Sequence, residues 1–414
     1  MVRRRRLFFA FSLFFTAVSF ALIWKTDGEA VKPLFYYYTD YCADFYNQLL
    51  YVRDPQHVYQ ASPFSSFPPF AYLIYYALGK FIPSSVVEGT GAWELRDNLC
   101  GFTLYVVCSA VLSVLLACQI QAYLEKERPW QRLLATLLIL LSAPFLGLFE
   151  RGNSVFLVLI LLLAGVRWMD HPDRRLREAA LLAFAAAAAM KFYPAVFGLL
   201  YLRQKRWGEA ARLTAYGLFL VFAPFVFFGG KEGFLTLLSN LRFITEGYVL
   251  GGDLRSVAYA VTLFGGWLGG EEQAMFLLGE KLSFLYFAVC CAGVVLQPVL
   301  WKQLILLAGI MILFPAWSGS YTLIYLALPL LLFLAEEKTE EKNARRFTAG
   351  YEILFGCVFT LVLLNPSWSQ TVLNSDFPYT VRILGTWGLV GLTLFDTAVS
   401  AWPGRARRKE AARS

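Results

Sequence analysis

The sequence predicts an all-α polytopic membrane protein, and three observations carry that expectation. Of 414 residues, 58% are hydrophobic and 16% charged, against roughly 45–50% and about 25% in soluble domains. Mean hydropathy is +0.55, and many apolar runs approach the ~20 residues that a helical span requires. The 37 Lys and Arg cluster in short loops between alternate runs. A water-soluble core and a disordered chain are both excluded.

Arg3, Arg4, Arg5 and Arg6 precede an apolar run over 7–24. No small-x-small cleavage site follows before Lys25, so this run reads as an uncleaved first helix with its arginines inside. Further runs cover 99–123, 133–149, 154–168, 179–202, 213–228, 282–300, 304–317, 321–334, 347–364 and 381–399. The 179–202 run is broken by Lys191-Phe192-Tyr193-Pro194. Basic residues flank it on both sides, Arg174, Arg175 and Arg177 before and Arg203, Lys205 and Arg206 after. Both flanks are expected in the cytoplasm, which makes the run a re-entrant pair of half-helices. The total is about 12 membrane segments with both termini cytoplasmic.

Sorting the basic residues supports this orientation. It places 25 of the 37 inside, in short loops and tails, and 12 outside, spread over longer segments. Lys and Arg mark cytoplasmic loops, so the net charge of +8 reports topology and not nucleic-acid binding. A bacterial inner (plasma) membrane is the expected location.

Two long segments face outward. Residues 25–98 carry Asp40, Asp44, Arg53, Asp54, His57 and Tyr59, then the aromatic stretch from Phe67-Pro68-Pro69-Phe70 to Tyr76. That stretch predicts an interfacial helix lying on the membrane. Residues 230–258 carry Lys231, Asn240, Arg242, Glu246, Asp253 and Arg255.

The seven Cys show neither metal-ligand spacing nor a paired framework. Two histidines, His57 and His171, rule out a multi-histidine metal centre. Walker, dinucleotide and zinc motifs are absent, which argues against a nucleotide-driven pump or a nucleotide-sugar enzyme. Neither cofactor nor metal is expected.

Four groups remain as candidates for chemistry. Asp40 and Asp44 are four apart, a spacing that puts both carboxylates on one helix face. Their aromatic neighbours favour a raised carboxyl pKa and a general base, although a hydrated helix start has the same spacing. Lys191 interrupts an apolar hairpin, where a charge is costly and suits an anionic ligand. Its bland reading is a lysine snorkelling to the interface. Glu150-Arg151-Gly152-Asn153 joins two spans and reads equally as a wet-cavity group or a tight turn with an Asn helix cap. Asp253 and Arg255 form either a ligand contact or an ordinary salt bridge.

Taken together, these pieces resemble the GT-C type of integral-membrane glycosyltransferase. They are most similar to glycosyltransferase family 87, the polyprenol-phosphate-mannose-dependent mannosyltransferases. The matching residues are Asp40-Tyr41 after the first span, Val58-Tyr59 and Phe67-Pro68-Pro69-Phe70. Arg151-Gly152-Asn153, Lys191-Phe192-Tyr193-Pro194 and the basic-aromatic turn Gln204-Lys205-Arg206-Trp207 follow in the family's order. The family's late His is missing from the stretch Pro315–Tyr321, and Gly252–Val257 lacks its asparagine.

The resemblance implies a catalytic membrane module over 1–260 and C-terminal transmembrane helices over 261–414. It implies an inverting transfer of a hexose, mannose above all, from a polyprenyl-phosphate carrier to an external hydroxyl. The acceptor would be a glycan, glycolipid or lipid; membrane lipids are partners and nucleic acid is not. Asp40 would be the base, with Asp44 the alternative. Lys191 would stabilise the leaving phosphate, with Arg255 or Arg151 next in line, and Tyr59, Asn153 and Tyr193 would line the substrate site. Rival readings are a secondary transporter or flippase, which should show repeat symmetry, and a lipid-linked oligosaccharide polymerase or ligase.

Overall fold

The run beginning at Leu99 forms one uninterrupted helix, Leu99–Tyr123, because no proline breaks it and Asn98 caps its start. The Asn98 carboxamide oxygen accepts from the Cys100 amide at 2.9 Å, satisfying one of the donors that a helix N-terminus leaves open. The computed structural model describes residues 1–2, 5–34, 41–87, 91–246, 252–316, 318–336, 347–365 and 368–401. Asp40, the arginines at 3–4 and the basic tail over 402–414 lie outside them.

Every regular element among the described residues is an α- or 3-10 helix. Arg6–Lys25, Leu99–Tyr123, Trp207–Val226, Glu272–Leu296 and Phe377–Ala401 are each long and apolar enough to cross a bilayer. Pro129–Leu140 and Ala143–Arg151 make a sixth if the bent pair is one span. Five further apolar helices are only 10–17 residues long. The expected count of about twelve therefore meets five or six full-length spans among the described residues. One reason is that some apolar runs are core. Leu300–Leu313 is buried on nearly all sides, and a helix apolar all round needs protein or lipid about it equally.

The 133–149 run, expected as one straight span, bends by 53°. Pro144 has no amide to continue the ladder, and the Ser142 hydroxyl caps the new helix by accepting from Phe145 N at 3.4 Å. The Val257–Trp267 helix was not anticipated, since eleven residues are too few to span. It packs on Glu272–Leu296 at Gly279, where a Cβ would stand 2.7 Å from the Ala258 Cα.

The broken run does form a hairpin. Asp173 caps Arg174–Met190, and its alanine-rich face sits close against Val155–Trp168, where a Cβ on Gly165 would meet Phe184 at 2.7 Å. The helix stops at Lys191, whose backbone is extended at φ −146° and ψ 131°, and Pro194 sits in the first turn of the 3-10 segment that follows. A 3-10 turn, Tyr193–Phe197, and the helix Gly198–Arg203 return the chain. Arg206 then donates to Asp170 at 2.7 Å and to the Met169 carbonyl at 2.9 Å. Both ends of the run therefore lie together, as a re-entrant pair requires.

The Glu29–Leu34 turn, which follows Arg6–Lys25, packs on both Ala143–Arg151 and Phe377–Ala401. The helix Pro69–Gly79 forms where an interfacial helix was expected, with Pro69 at its first turn. Its Tyr72 and Tyr75 turn inward and it packs on Arg174–Met190. One apolar core joins residues from Phe8 to Val390.

Candidate active site

Asp44 lies in the first turn of Ala43–Tyr51. Cys42 before it adopts φ +59° and donates its amide to the Glu150 carbonyl at 2.6 Å, which fixes where that helix begins. The same contact brings the Ala143–Arg151 helix end alongside. Gly152 closes that helix at φ +64°, and a Cβ there would stand 2.9 Å from Phe45 Cβ and 3.0 Å from Tyr105 Cε2. Only glycine meets both demands without strain.

This close approach delivers two donors to one carboxylate. Arg151 Nη2 donates to Asp44 Oδ1 in an ion pair, and Asn153 Nδ2 donates to Oδ2 at 2.6 Å. The Asn153 amide cannot turn round, because its oxygen caps the next helix by accepting from Val155 N at 3.0 Å. Charge-assisted bonds of this kind are short and strong. Each oxygen of Asp44 is thus engaged. Tyr51 and Tyr75 lie within its electrostatic range, and burial pushes both phenols above their ordinary value, keeping them neutral donors.

Lys191 reaches the same field from the hairpin. Its ammonium sits 3.5 Å above the Phe67 ring and in electrostatic contact with Asp44. It makes no ion pair among the described residues, and a cation over an aromatic face gains only about 0.5–2 kcal/mol. The Phe67 ring is itself braced. Tyr59 is buried, and its hydroxyl donates to the Phe67 carbonyl at 3.1 Å. The Ser65 hydroxyl donates to the Val58 carbonyl at 2.8 Å. Asn240, buried on the Gly230–Glu246 helix, spans this loop by donating to the carbonyls of Tyr59 at 2.7 Å and Ser65 at 2.9 Å.

The structure therefore assembles Asp44, Arg151, Asn153 and Lys191, with Tyr59 behind them as a brace. Arg255 belongs to a second cluster. Its amide and Nε donate to the two oxygens of Asp253 at 2.7 and 2.6 Å, and its guanidinium lies 4.7 Å over the Tyr259 ring. Tyr193 opens the 3-10 turn and stays half-open to the surroundings, in electrostatic contact with Tyr325.

The Glycosyltransferase family 87 model matches residues 64–319, more than half of the chain. The chain belongs to glycosyltransferase family 87. No curated protein matches it. The family and the apolar helices make it a membrane glycosyltransferase of the GT-C type.

In this family 87 glycosyltransferase a groove of about 700 Å³ opens beside the break. Phe192 and Pro194 line it next to Lys191 in sequence, and Ala210, Leu213, Val221, Phe222 and Phe287 continue it along two helices. From Ala210 to Phe222 the wall runs about 18 Å at the helical rise. Asn240 carried no motif signal, because its role is to collect carbonyls of a loop about 180 residues upstream, at a sequence separation of 181 from Tyr59. Only the presence of a carboxamide in an otherwise amphipathic helix hinted at it.

Proposed function

We propose that this membrane glycosyltransferase moves a hexose, mannose in particular, from a polyprenyl-phosphate carrier to an acceptor hydroxyl, with inversion and with Asp40 as general base. The chemistry takes place on the external face of a bacterial plasma membrane, with both termini in the cytoplasm. The observation that carries the reading is the junction at Lys191: a cation with no ion pair among the described residues, followed directly in the chain by Phe192 and Pro194 of a long apolar groove. A carrier with a phosphate head and an isoprenoid tail has that polarity. Residues 1–260 supply Lys191 and most of the groove, and Phe287 adds to its wall from beyond them.

The steps balance without a general acid. Asp40 takes the proton of the acceptor hydroxyl as its oxygen attacks the anomeric carbon from the face opposite the phosphate. The anomeric C–O bond breaks, and its electron pair leaves with the phosphate as a polyprenyl phosphomonoester. Lys191 stabilises the charge that grows on that oxygen. Asp44 is the poorer base, since both its oxygens already accept bonds from Arg151 and Asn153. Its role is to hold the cavity wall, while Tyr59 and Tyr193 shape the space for sugar and carrier and Arg255 borders the acceptor side.

The test is transfer from radiolabelled polyprenyl-phosphate hexoses in membranes carrying wild type or Asp40→Asn. The variant is expected to lose about 10²–10⁴-fold in rate. Equal transfer by both would sink the base assignment. No transfer by wild type from any such monophosphate donor would sink the donor assignment.

A further inference from the structure

Arg382 sits about one turn into Phe377–Ala401, beyond the stretch that the family model matches. In the sequence it is a single charge at the head of an apolar run. In the structure it is 3% exposed, and its Nη1 has no hydrogen-bond partner among the described residues. Asp376 and Tyr379 are within its electrostatic range, but Asp376 accepts instead from Asn365 Nδ2 at 2.9 Å. An arginine is always charged and offers five donors, so burying it with open donors is costly unless a ligand completes it.

Its surroundings say where such a ligand would lie. The Phe377–Ala401 helix packs against Glu29–Leu34 and against Ser320–Leu326. Within the latter, Tyr325 is in electrostatic contact with Tyr193, two residues from Lys191. One turn further along, Trp387 Nε1 donates to the Leu254 carbonyl at 2.9 Å, beside Arg255. On the other side of Arg382, Asn374 Nδ2 donates to the Gly252 carbonyl at 3.4 Å, so the segment that carries Arg255 is held to this part of the chain both before and after Arg382.

We propose that Arg382 is an anion-binding residue of the same cavity. It takes a phosphate oxygen of the polyprenyl-phosphate donor, and of the phosphomonoester left after transfer. The proposal rests on the donor assignment made above. Intramembrane charges are retained where they serve such contacts, and a guanidinium fork suits a phosphate better than a point charge does.

The experiment measures binding of polyprenyl phosphate to detergent-purified wild type, Arg382→Met and Arg382→Lys, with the uncharged polyprenol and inorganic phosphate as parallel probes. Thermal unfolding without lipid is the second readout. Arg382→Met is expected to bind polyprenyl phosphate at least about 30-fold more weakly, to bind polyprenol unchanged, and to melt no lower than wild type because an open buried charge has gone. Arg382→Lys should recover part of the affinity. Equal weakening toward polyprenol and polyprenyl phosphate, or a lower melting temperature in the methionine variant, would mark Arg382 as structural and overturn the proposal. Wild-type affinity for polyprenyl phosphate in Arg382→Met would overturn it while leaving the donor assignment intact. Binding of inorganic phosphate alone would place the anion elsewhere than on the carrier. Failure of wild type itself to bind the lipid phosphate would remove both.

Discussion

Replacing Gly152 by alanine should dislodge the carboxylate cluster through one methyl group. The residue sits at φ +64°, where an L side chain costs about 1–2 kcal/mol. The new Cβ would lie 2.9 Å from Phe45 Cβ and 3.0 Å from Tyr105 Cε2, whereas ordinary contact begins at 3.4 Å. The Ala43–Tyr51 helix must therefore retreat by roughly half an ångström, at an overpacking cost of about 1–3 kcal/mol. Together the two effects predict about 2–5 kcal/mol of destabilisation, read by thermal unfolding in detergent. Because Phe45 adjoins Asp44 in sequence, the retreat also stretches the bonds from Arg151 and Asn153. Displacements near 1 Å cost about 10²-fold in rate, so transfer should fall between tenfold and that limit. Gly208→Ala is the control: nothing stands within 4 Å of its Cβ, and in a helix the change gains about 0.5–1 kcal/mol. If Gly152→Ala kept wild-type melting and transfer, the close approach would not be what holds Asp44.

Lys191→Met should lower kcat by about 10²–10³-fold with little change in melting, the loss expected when a stabiliser of developing charge is removed; a fall in melting with unchanged kcat would count against it. Asn240→Leu leaves the Tyr59 and Ser65 carbonyls without their donor, at about 1–3 kcal/mol each, and a shift of the loop should appear as faster proteolysis between 59 and 67. Burial pushes the Cys42 thiol up from 9.0 to about 11, so in native protein it should resist alkylation at neutral pH while the exposed Cys100 reacts. The folded value is raised, so the contribution of Cys42 to stability is intact below about 9 and is lost as pH rises toward 11.

The features legible in the sequence were those set by local pattern. Helices such as Leu99–Tyr123 and Val155–Trp168 follow from apolar length, and the Lys191 break follows from a charge and a proline inside an apolar run. What escaped depends on partners far along the chain. Arg151 meets Asp44 across a separation of 107 residues, whereas the motif by itself suggested a self-contained turn. The bend at Ser142 was missed because Pro144 lies in a run that is otherwise continuously apolar. Arg382 is one of the 12 basic residues that the sequence places outside, and a sequence shows that a cation is present but not whether a carboxylate meets it.

That distinction separates four cations by their partners. Arg151 and Arg255 are each tied to a carboxylate, Asp44 and Asp253, so either would have to give up an existing pair to take a phosphate. Lys191 lies over a ring, and Arg382 Nη1 has no acceptor among the described residues. A sugar-bearing lipid phosphate is a diester with one negative charge, and transfer releases a monoester carrying about −1.5 to −2. The charge therefore grows as the anomeric bond breaks. Cations not already neutralised interact more strongly with the late, more charged state than with the bound donor, which is the condition for lowering the barrier and not merely tightening binding. If the proposed donor is right, Lys191 and Arg382 should contribute to kcat, while Arg151 and Arg255 should act mainly through the shape of the site. The corresponding single variants separate the two cases by whether kcat falls with melting unchanged or both fall together.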